Sequence, residues 1–368
     1  MGLYGLAACV AQPAQVGYAL SGGPIAKLPA PAGRRIAVLV PLSGSNAELG
    51  RSMLRAAQLA LQASGGSAFD EMDTKGTPDG AATAVRTAIA GGAGIIVGPL
   101  TAAETSAVAS VTRPRNIPVL AFTSDSGRAE SEVWTLGITA AQQVRTLVRA
   151  AQADGRGRIG ALLPRNAFGD ALASGLGAAC QEAGLPAPTI GRYRPGEALD
   201  AAIAGVAAES RGTVDAMLLG TSIDGALAAL PSLTKAGLGP DRVRLLGTAL
   251  WSKDAPRSAG LNGAWFAGPD PATLGLFEQQ YRARFGTAPP ELSGVAFDAA
   301  GAARAVTGPT GVNASVLLTP GGFSGPNGTF VLLPDGHVRR ALALFEIGAD
   351  RVHQRTVAPE GPPPARVM

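Results

Sequence analysis

From residue 35 onward, short apolar runs alternate with longer segments in which apolar residues return every three or four positions. Ile36–Val40, Gly94–Val97 and Val119–Phe122 are unbroken apolar runs, the pattern of strands covered on both faces of a parallel sheet. A further β-rich stretch spans Ser67–Asp73. Pro41 and a turn close the first run, and Leu49, Met53, Ala56, Ala57 and Ala60 then form one stripe of a helix predicted over Glu48–Ala63. Ala-rich helices fill the remaining intervals. Such a βαβ series implies a parallel sheet with right-handed crossovers.

The pattern then starts again. RIAVLVP at Arg35–Pro41 returns as RIGALLP at Arg158–Pro164, 123 residues later. GIIVG ending at Gly98 matches AMLLG ending at Gly220, 122 residues later, and PVLAF at Pro118–Phe122 matches VRLLG at Val243–Gly247. Each run alone is ordinary, but three in one order at nearly the same spacing mark an internal duplication. The second half is predicted as strand Ile159–Leu163, helix Asp170–Ala183, strand Ile190–Tyr193, helix Leu199–Glu209, strand Val214–Leu219, helix Ile223–Ala236 and strand Val243–Leu246. The expectation is two Rossmann-like α/β lobes with parallel sheets. A ligand would sit between them, outside the carboxyl ends of the strands.

Helices at Leu274–Phe285 and Ser293–Thr307 exceed the repeat and need a home on the first lobe. Two strands, Thr329–Leu333 and Arg340–Ile347, flank the turn Pro334-Asp335-Gly336. The predicted domains are therefore 34–139 plus 268–333, and 140–267 plus 334–352, joined by three crossing strands that form a hinge. Residues 353–368, ending in APEGPPPARVM, read as a disordered tail.

Length and composition agree with two cores. In 368 residues, 46% are apolar, only 5% aromatic, and 50 are Gly, so the interior must be built from small aliphatic side chains packed closely. The net charge of +4 comes from scattered Arg, without a basic run of the kind that binds nucleic acid. Cys180 falls on the apolar stripe of a helix, as a small buried thiol. Cys9 ends Leu6-Ala7-Ala8-Cys9, a lipobox-like string, although no basic segment and full apolar stretch precede it. Lipidation at Cys9 with residues 10–33 as a flexible tether is one reading; an incidental Cys in a frayed terminus is the other. No apolar run elsewhere is long enough to span a bilayer, so membrane contact is expected only through the lipid.

Enzyme chemistry finds no support. His337 and His353 lie late in the chain near turns, with no Ser-His-Asp arrangement. Gly155, Gly157 and Gly160 spell GxGxxG, but ahead of a strand rather than between a strand and a helix. Neither a phosphate-binding loop nor a Cys/His spacing for metal occurs, and no catalytic residue, metal or cofactor is expected.

The string IAVLVPLSGSNAELGRSMLRAAQLAL resembles the opening of leucine-binding-type receptors of the type I periplasmic-binding-protein superfamily. The resemblance continues through Asp73-Thr74 with Gly76, GIIVGPLTAAETSAVASV, IPVLAFTSD, FGDALASGLGAAC, FEQQYRARFGTAPP and VAFDAAGAA, over about residues 34–350. Some strings are similar to one branch, the penicillin-binding-protein activator lipoproteins: LAFTSD with LGITAAQQV, LLGTALW with GAWFAGPDP, and GGFSGPNGTFVLLPDGHVRRALALFEI. The resemblance implies a periplasmic, lipid-anchored protein. On the receptor branch it would bind a small polar, amino-acid-like ligand for an ABC permease. On the activator branch its partner would be a penicillin-binding protein, with peptidoglycan synthesis as the regulated process.

The resemblance also implies candidate site residues. Ser43 lies in the first Ser-Gly turn, and Thr101 with Ala102 occupies the family's carboxylate-binding position. Ser124 and Ser126 fall where the family supplies a carbonyl and a hydroxyl. Helix capping is the alternative for Thr101, Ser124 and Ser126. Phe168 stands where the receptors often carry a ligand-contacting Tyr, and Ser222 and Asp224 follow the strand AMLLG. Asp224 would hold an ammonium group or serve as a solvated first-turn carboxylate. Trp251 would line the cleft or join the core. The family acid that pairs with a ligand amine is missing from Ala249–Trp251, which puts branched-chain amino-acid specificity in doubt.

Overall fold

The structure, a computed structural model, describes residues 35–355 apart from 63–68, 195, 198, 253, 254 and 256–258. Cys9, the tether and the tail beyond Arg355 lie outside the described residues.

The duplication is a duplication of sheet topology. The first sheet holds β1 (Arg35–Val40), β2 (Phe69–Asp73), β3 (Ala93–Val97), β4 (Val119–Ala121) and β5 (Val133–Thr135) in the parallel order 2-1-3-4-5. In the second sheet β6 (Ile159–Pro164), β7 (Thr189–Tyr193), β8 (Ala216–Leu219), β9 (Arg244–Gly247) and β10 (Trp265–Gly268) repeat it as 7-6-8-9-10. The apolar runs behave as their composition requires. Residues 36–40, 159–164 and 216–219 are buried throughout, because helices cover both faces. In the first lobe these are α1 (Ala47–Gln62), α2 (Pro78–Ala90) and α3 (Ala102–Thr112); in the second, α4 (Ala140–Ala153), α5 (Ala167–Glu182), α6 (Asp200–Ser210) and α7 (Ile223–Lys235). Cys180 is buried, and burial pushes its thiol pKa up.

Beyond the duplication, the chain returns to both lobes. The helices α8 (Pro271–Phe285) and α9 (Ser293–Val306) share one core with α1. Ala56, Ala57 and Ala60 meet Ala296, Ala299, Ala300 and Ala303 there, and the small side chains let the helix axes come close. Tyr281 Oη donates to Ser52 O at 3.3 Å. A two-strand ribbon, β11 (Thr307–Gly308) and β12 (Gly311–Val312), leads to an antiparallel sheet of β13 (Phe323–Gly325), β14 (Gly328–Leu332) and β15 (Val338–Arg340). The second sheet gains β16 (Ala343–Ile347) and β17 (Val352–Arg355), both antiparallel.

The single strand predicted over Arg340–Ile347 is thus two strands in different sheets. Arg340 ends β15 beside β14, and Leu342 already belongs to the second core. The lobes part there rather than at residue 334. His353–Arg355, predicted as tail, pair with Leu344–Glu346.

Three crossings connect the lobes: 136–139 between β5 and α4, 269–270 between β10 and α8, and 341–342 between β15 and β16. Each is four residues or fewer, so the chain leaves the carboxyl ends of β5 and β10 directly toward the other lobe. Buried polar contacts pin this hinge. Arg340 Nη1 donates to Asp298 Oδ2 at 2.7 Å and Nη2 to Leu136 O at 3.1 Å, with Asn327 Nδ2 on the same carboxylate at 3.0 Å. Gln142 Nε2 donates to Val338 O at 2.8 Å, and Trp134 Nε1 to Leu333 O at 2.7 Å. Arg340 and Asp298 side chains are both fully buried. Burial pushes the Asp298 carboxyl pKa up against the pull of Arg340 and Asn327.

Candidate functional site

In the first sheet β1, β3 and β4 are neighbours, so the loops leaving their carboxyl ends stand side by side at strand spacing, about 5 Å. These loops carry Ser43, Thr101 with Ala102, and Ser124 with Ser126. In the second lobe the corresponding loops carry Asn166 and Phe168 after β6, Ser222 and Asp224 after β8, and Thr248–Trp251 after β9. The structure therefore gathers the candidates along the two carboxyl edges, on either side of the hinge.

Ser43 is exposed and held by an acid from the next strand. Its Oγ donates to Asp73 Oδ2 at 2.7 Å, while Asp73 Oδ1 accepts the amides of Lys75 at 2.7 Å, Leu42 at 2.8 Å and Ser43 at 3.3 Å. Burial pushes the Asp73 carboxyl up, but the Ser43 hydroxyl and these amides outweigh it and hold the carboxyl below its usual range. Asp73 is thus the organiser of the first loop.

Thr101 caps α3 after the cis Gly98-Pro99 bond. Gly98 is obligatory: its φ is +98°, and a Cβ there would lie 2.2 Å from Leu39 O. Glu104 closes a capping box. Thr101 Oγ1 accepts the Glu104 amide at 3.2 Å, while the Thr101 amide and hydroxyl donate to Glu104 Oε2 at 2.9 and 2.7 Å. Glu104 is fully buried, so the Thr101 donors are occupied within the chain. Ala102, half-buried, is the first residue of α3. After β4, Ser124 is exposed, and Ser126, half-buried, opens a short 3-10 turn. Asp125 stabilises this turn through the Gly127 amide at 3.0 Å and Arg128 Nε at 3.1 Å.

The second lobe is arranged differently. Asn166 caps α5, its Oδ1 accepting the Gly169 amide at 2.9 Å. Phe168, in the first turn, packs partly buried against the second core. Ser222 caps α7 through the Gly225 amide at 3.3 Å, and both Ser222 and Asp224 are exposed. Trp251 is fully buried in the core, with Nε1 donating to Thr221 O at 2.9 Å. Its indole fills the space that Gly247 leaves open, since a Cβ on Gly247 would lie 2.2 Å from the ring. Gln143 Oε1 accepts the Ala249 amide at 2.7 Å and ties this loop to α4. Of the two readings of Trp251, this geometry is the core position.

Asp73, Glu104, Asn166 and Gln143 are not among the candidate site residues of the sequence, where Asp73 stands only as part of a family motif, although they position the residues that are. Two had a legible signal: Thr101-x-x-Glu104 is a capping-box spacing, and Asn166 stands just ahead of a helical stripe. Asp73 and Gln143 act across 30 and 106 residues, and no local pattern signals those contacts. Among the described residues no group of three or more His, Cys, Asp or Glu could hold a metal ion. No helix among them is long and apolar enough to cross a membrane.

Known proteins place this geometry in a family. No curated protein matches the chain. Among solved structures, the C-domain of LpoA from Haemophilus influenzae, a regulator of PBP1A, is 18% identical with a TM-score of 0.72, over 88% of this chain and 100% of that one. Against full-length LpoA the chain covers 60% of the length. A branched-chain amino acid ABC transporter periplasmic ligand-binding protein from Burkholderia xenovorans is 17% identical with a TM-score of 0.67, covering 89% and 95%. A solute-binding protein of an ABC transporter from R. palustris, in complex with benzoate, is 19% identical with a TM-score of 0.56, covering 88% and 95%. At these identities the likeness is one of fold, shared by transport receptors and LpoA-type regulators alike. The profile described as Periplasmic binding protein matches residues 34–351, and with its two duplicated lobes and hinge the chain belongs to that family of binding modules.

Proposed function

We propose that the chain is an extracytoplasmic receptor, lipid-anchored through Cys9, whose lobes close on a small polar, amino-acid-like ligand and present it to an ABC permease. The observation that carries this reading is the pairing of the two carboxyl edges. Thr101 and Ser222 cap helices in the same topological place, after β3 and β8, with the exposed hydroxyls of Ser43 and Ser124 beside the first. The helix N-termini and the exposed Ser124 hydroxyl suit a carboxylate, and exposed Asp224 supplies an anion for an amine. Closure would be a hinge motion about the three crossings.

A thermal-shift screen of amino acids and small carboxylates tests it, because a ligand bound only by the folded state raises Tm by mass action. The expected result is a saturable rise that Ser124→Ala abolishes without lowering the Tm of the unliganded protein. Thr101→Ala is a poorer probe, since losing the cap costs about 1 kcal/mol by itself. A flat screen, with nothing copurifying, defeats the receptor reading.

One specific observation favours a second reading, an activator of a penicillin-binding protein with a cleft that no longer takes solute. Ala249–Trp251 forms a 3-10 turn without a carboxylate, and Trp251 and Phe168 turn toward the core. On this reading immobilised protein retains a penicillin-binding protein from envelope extract, and Thr101→Ala or Ser124→Ala leaves the recovery unchanged. Recovery of permease subunits alone counts against it.

A further inference from the structure

Beside its carboxyl edge, the first lobe has a groove of about 450 Å³ between the outer strand β2 and helix α2. Met72 and Ala84 contribute apolar surface, with Thr83, Thr87 and Asp79 on the helix side and Glu71 and Asp73 on the strand side. Among the described residues β2 pairs only with β1, and no strand lies along its other edge. The Thr74 amide donates to Val40 O, and hydrogen bonds alternate along a parallel strand. Met72 and Asp70 therefore face β1, whereas Phe69, Glu71 and Asp73 turn their amides and carbonyls to the open edge.

We propose that this edge is an interaction site that takes an extended basic peptide segment of a partner protein as an added strand, its groove-facing side chains seated between β2 and α2. A free strand edge beside a helix groove is the arrangement for strand addition, in which the backbone gives affinity and the groove selects side chains. Charge fixes the kind of partner. In the strand Phe-Asp-Glu-Met-Asp, Asp73 is held by the Ser43 turn, which leaves Glu71, on the α1 face of the strand edge, and Asp79, at the start of α2, as the carboxylates offered to a partner, with Lys75 as the lining cation. Arg35 is spent on Asp70, with Nε on Oδ2 at 2.7 Å. Glu71 has only the neutral Gln58 amide at 2.9 Å, and Glu71 and Asp79 are both exposed. The same carboxylates repel a second copy of this edge, so the acidic strand resists self-pairing while it favours lysine and arginine on another chain. The site adjoins the first-lobe carboxyl edge through Asp73, whose carboxylate is spent on the Ser43 turn, and does not depend on which function the cleft serves.

The test uses a fluorescein-labelled hexapeptide of alternating Lys and Val with the full chain, read by anisotropy and by hydrogen exchange. Binding should weaken with added salt. It should protect the amides of Phe69, Glu71 and Asp73, and it should vanish when the backbone nitrogens of the peptide are methylated. Glu71→Lys with Asp79→Lys should weaken it about tenfold or more. Thr83→Trp, an exposed change that fills the groove, should do the same while leaving Tm within a degree or two. The proposal is overturned if the Lys-Val peptide shows no saturable binding. It is equally overturned if an alternating Glu-Val peptide binds as well, if the methylated peptide binds as well, or if neither set of substitutions changes the affinity.

Discussion

The two sheets share one strand order, yet the interiors they cover differ in kind. Among the described residues the buried charged side chains, Glu104, Asp298 and Arg340, all lie with the first sheet and its hinge, while the second lobe buries Thr248, Ser210 and the polar face of α4 but no charge. The loops differ likewise. Asp73 and Glu104 lock the first-lobe turns, each carboxylate saturating several donors, whereas the second lobe uses single caps at Asn166 and Ser222 and fills its loop with an indole. A duplicated backbone thus carries one preorganised carboxyl edge and one held mainly by apolar packing. Charge specifies geometry in the first, and shape does so in the second.

The sharpest way to break this contrast is at the hinge. Arg340→Met leaves the Asp298 carboxyl buried and without its guanidinium partner, which should cost about 3–5 kcal/mol. Asp298→Leu combined with Arg340→Met should recover much of that loss, because removing both charges removes the desolvation penalty. Urea denaturation of the two variants gives the comparison; equal stability for single and double variants would show that the pair is not what holds the hinge.

Gly247→Ala probes the second lobe, where shape decides. The new Cβ meets the Trp251 ring, so the loop must shift, at about 1–3 kcal/mol. A red-shifted tryptophan emission should accompany the loss, and an unchanged spectrum with unchanged Tm would contradict the packing.

The smallest effect expected is the pH dependence at Asp73. Its carboxyl pKa is held below the usual carboxylate value in the folded state, so its contribution is present above about pH 4 and is lost as pH falls through the folded value. Asp73→Asn should therefore be less stable than the parent at pH 7, with the gap closing at pH below about 4. Parallel Tm curves from pH 7 to pH 3 would refute the assignment.

Sequence by itself determined the repeated strand order, because unbroken apolar runs of strand length between helical stripes leave few topologies once crossovers are right-handed. It also determined the capping of α3, since a capping box is complete within four residues. Only the tertiary structure decided that Arg340 and Leu342 belong to different sheets, that Trp251 turns inward over Gly247, and that Asp73 organises the Ser43 turn. Those outcomes rest on contacts between segments brought together by folding, where what a side chain meets is set by neighbours its local pattern does not contain.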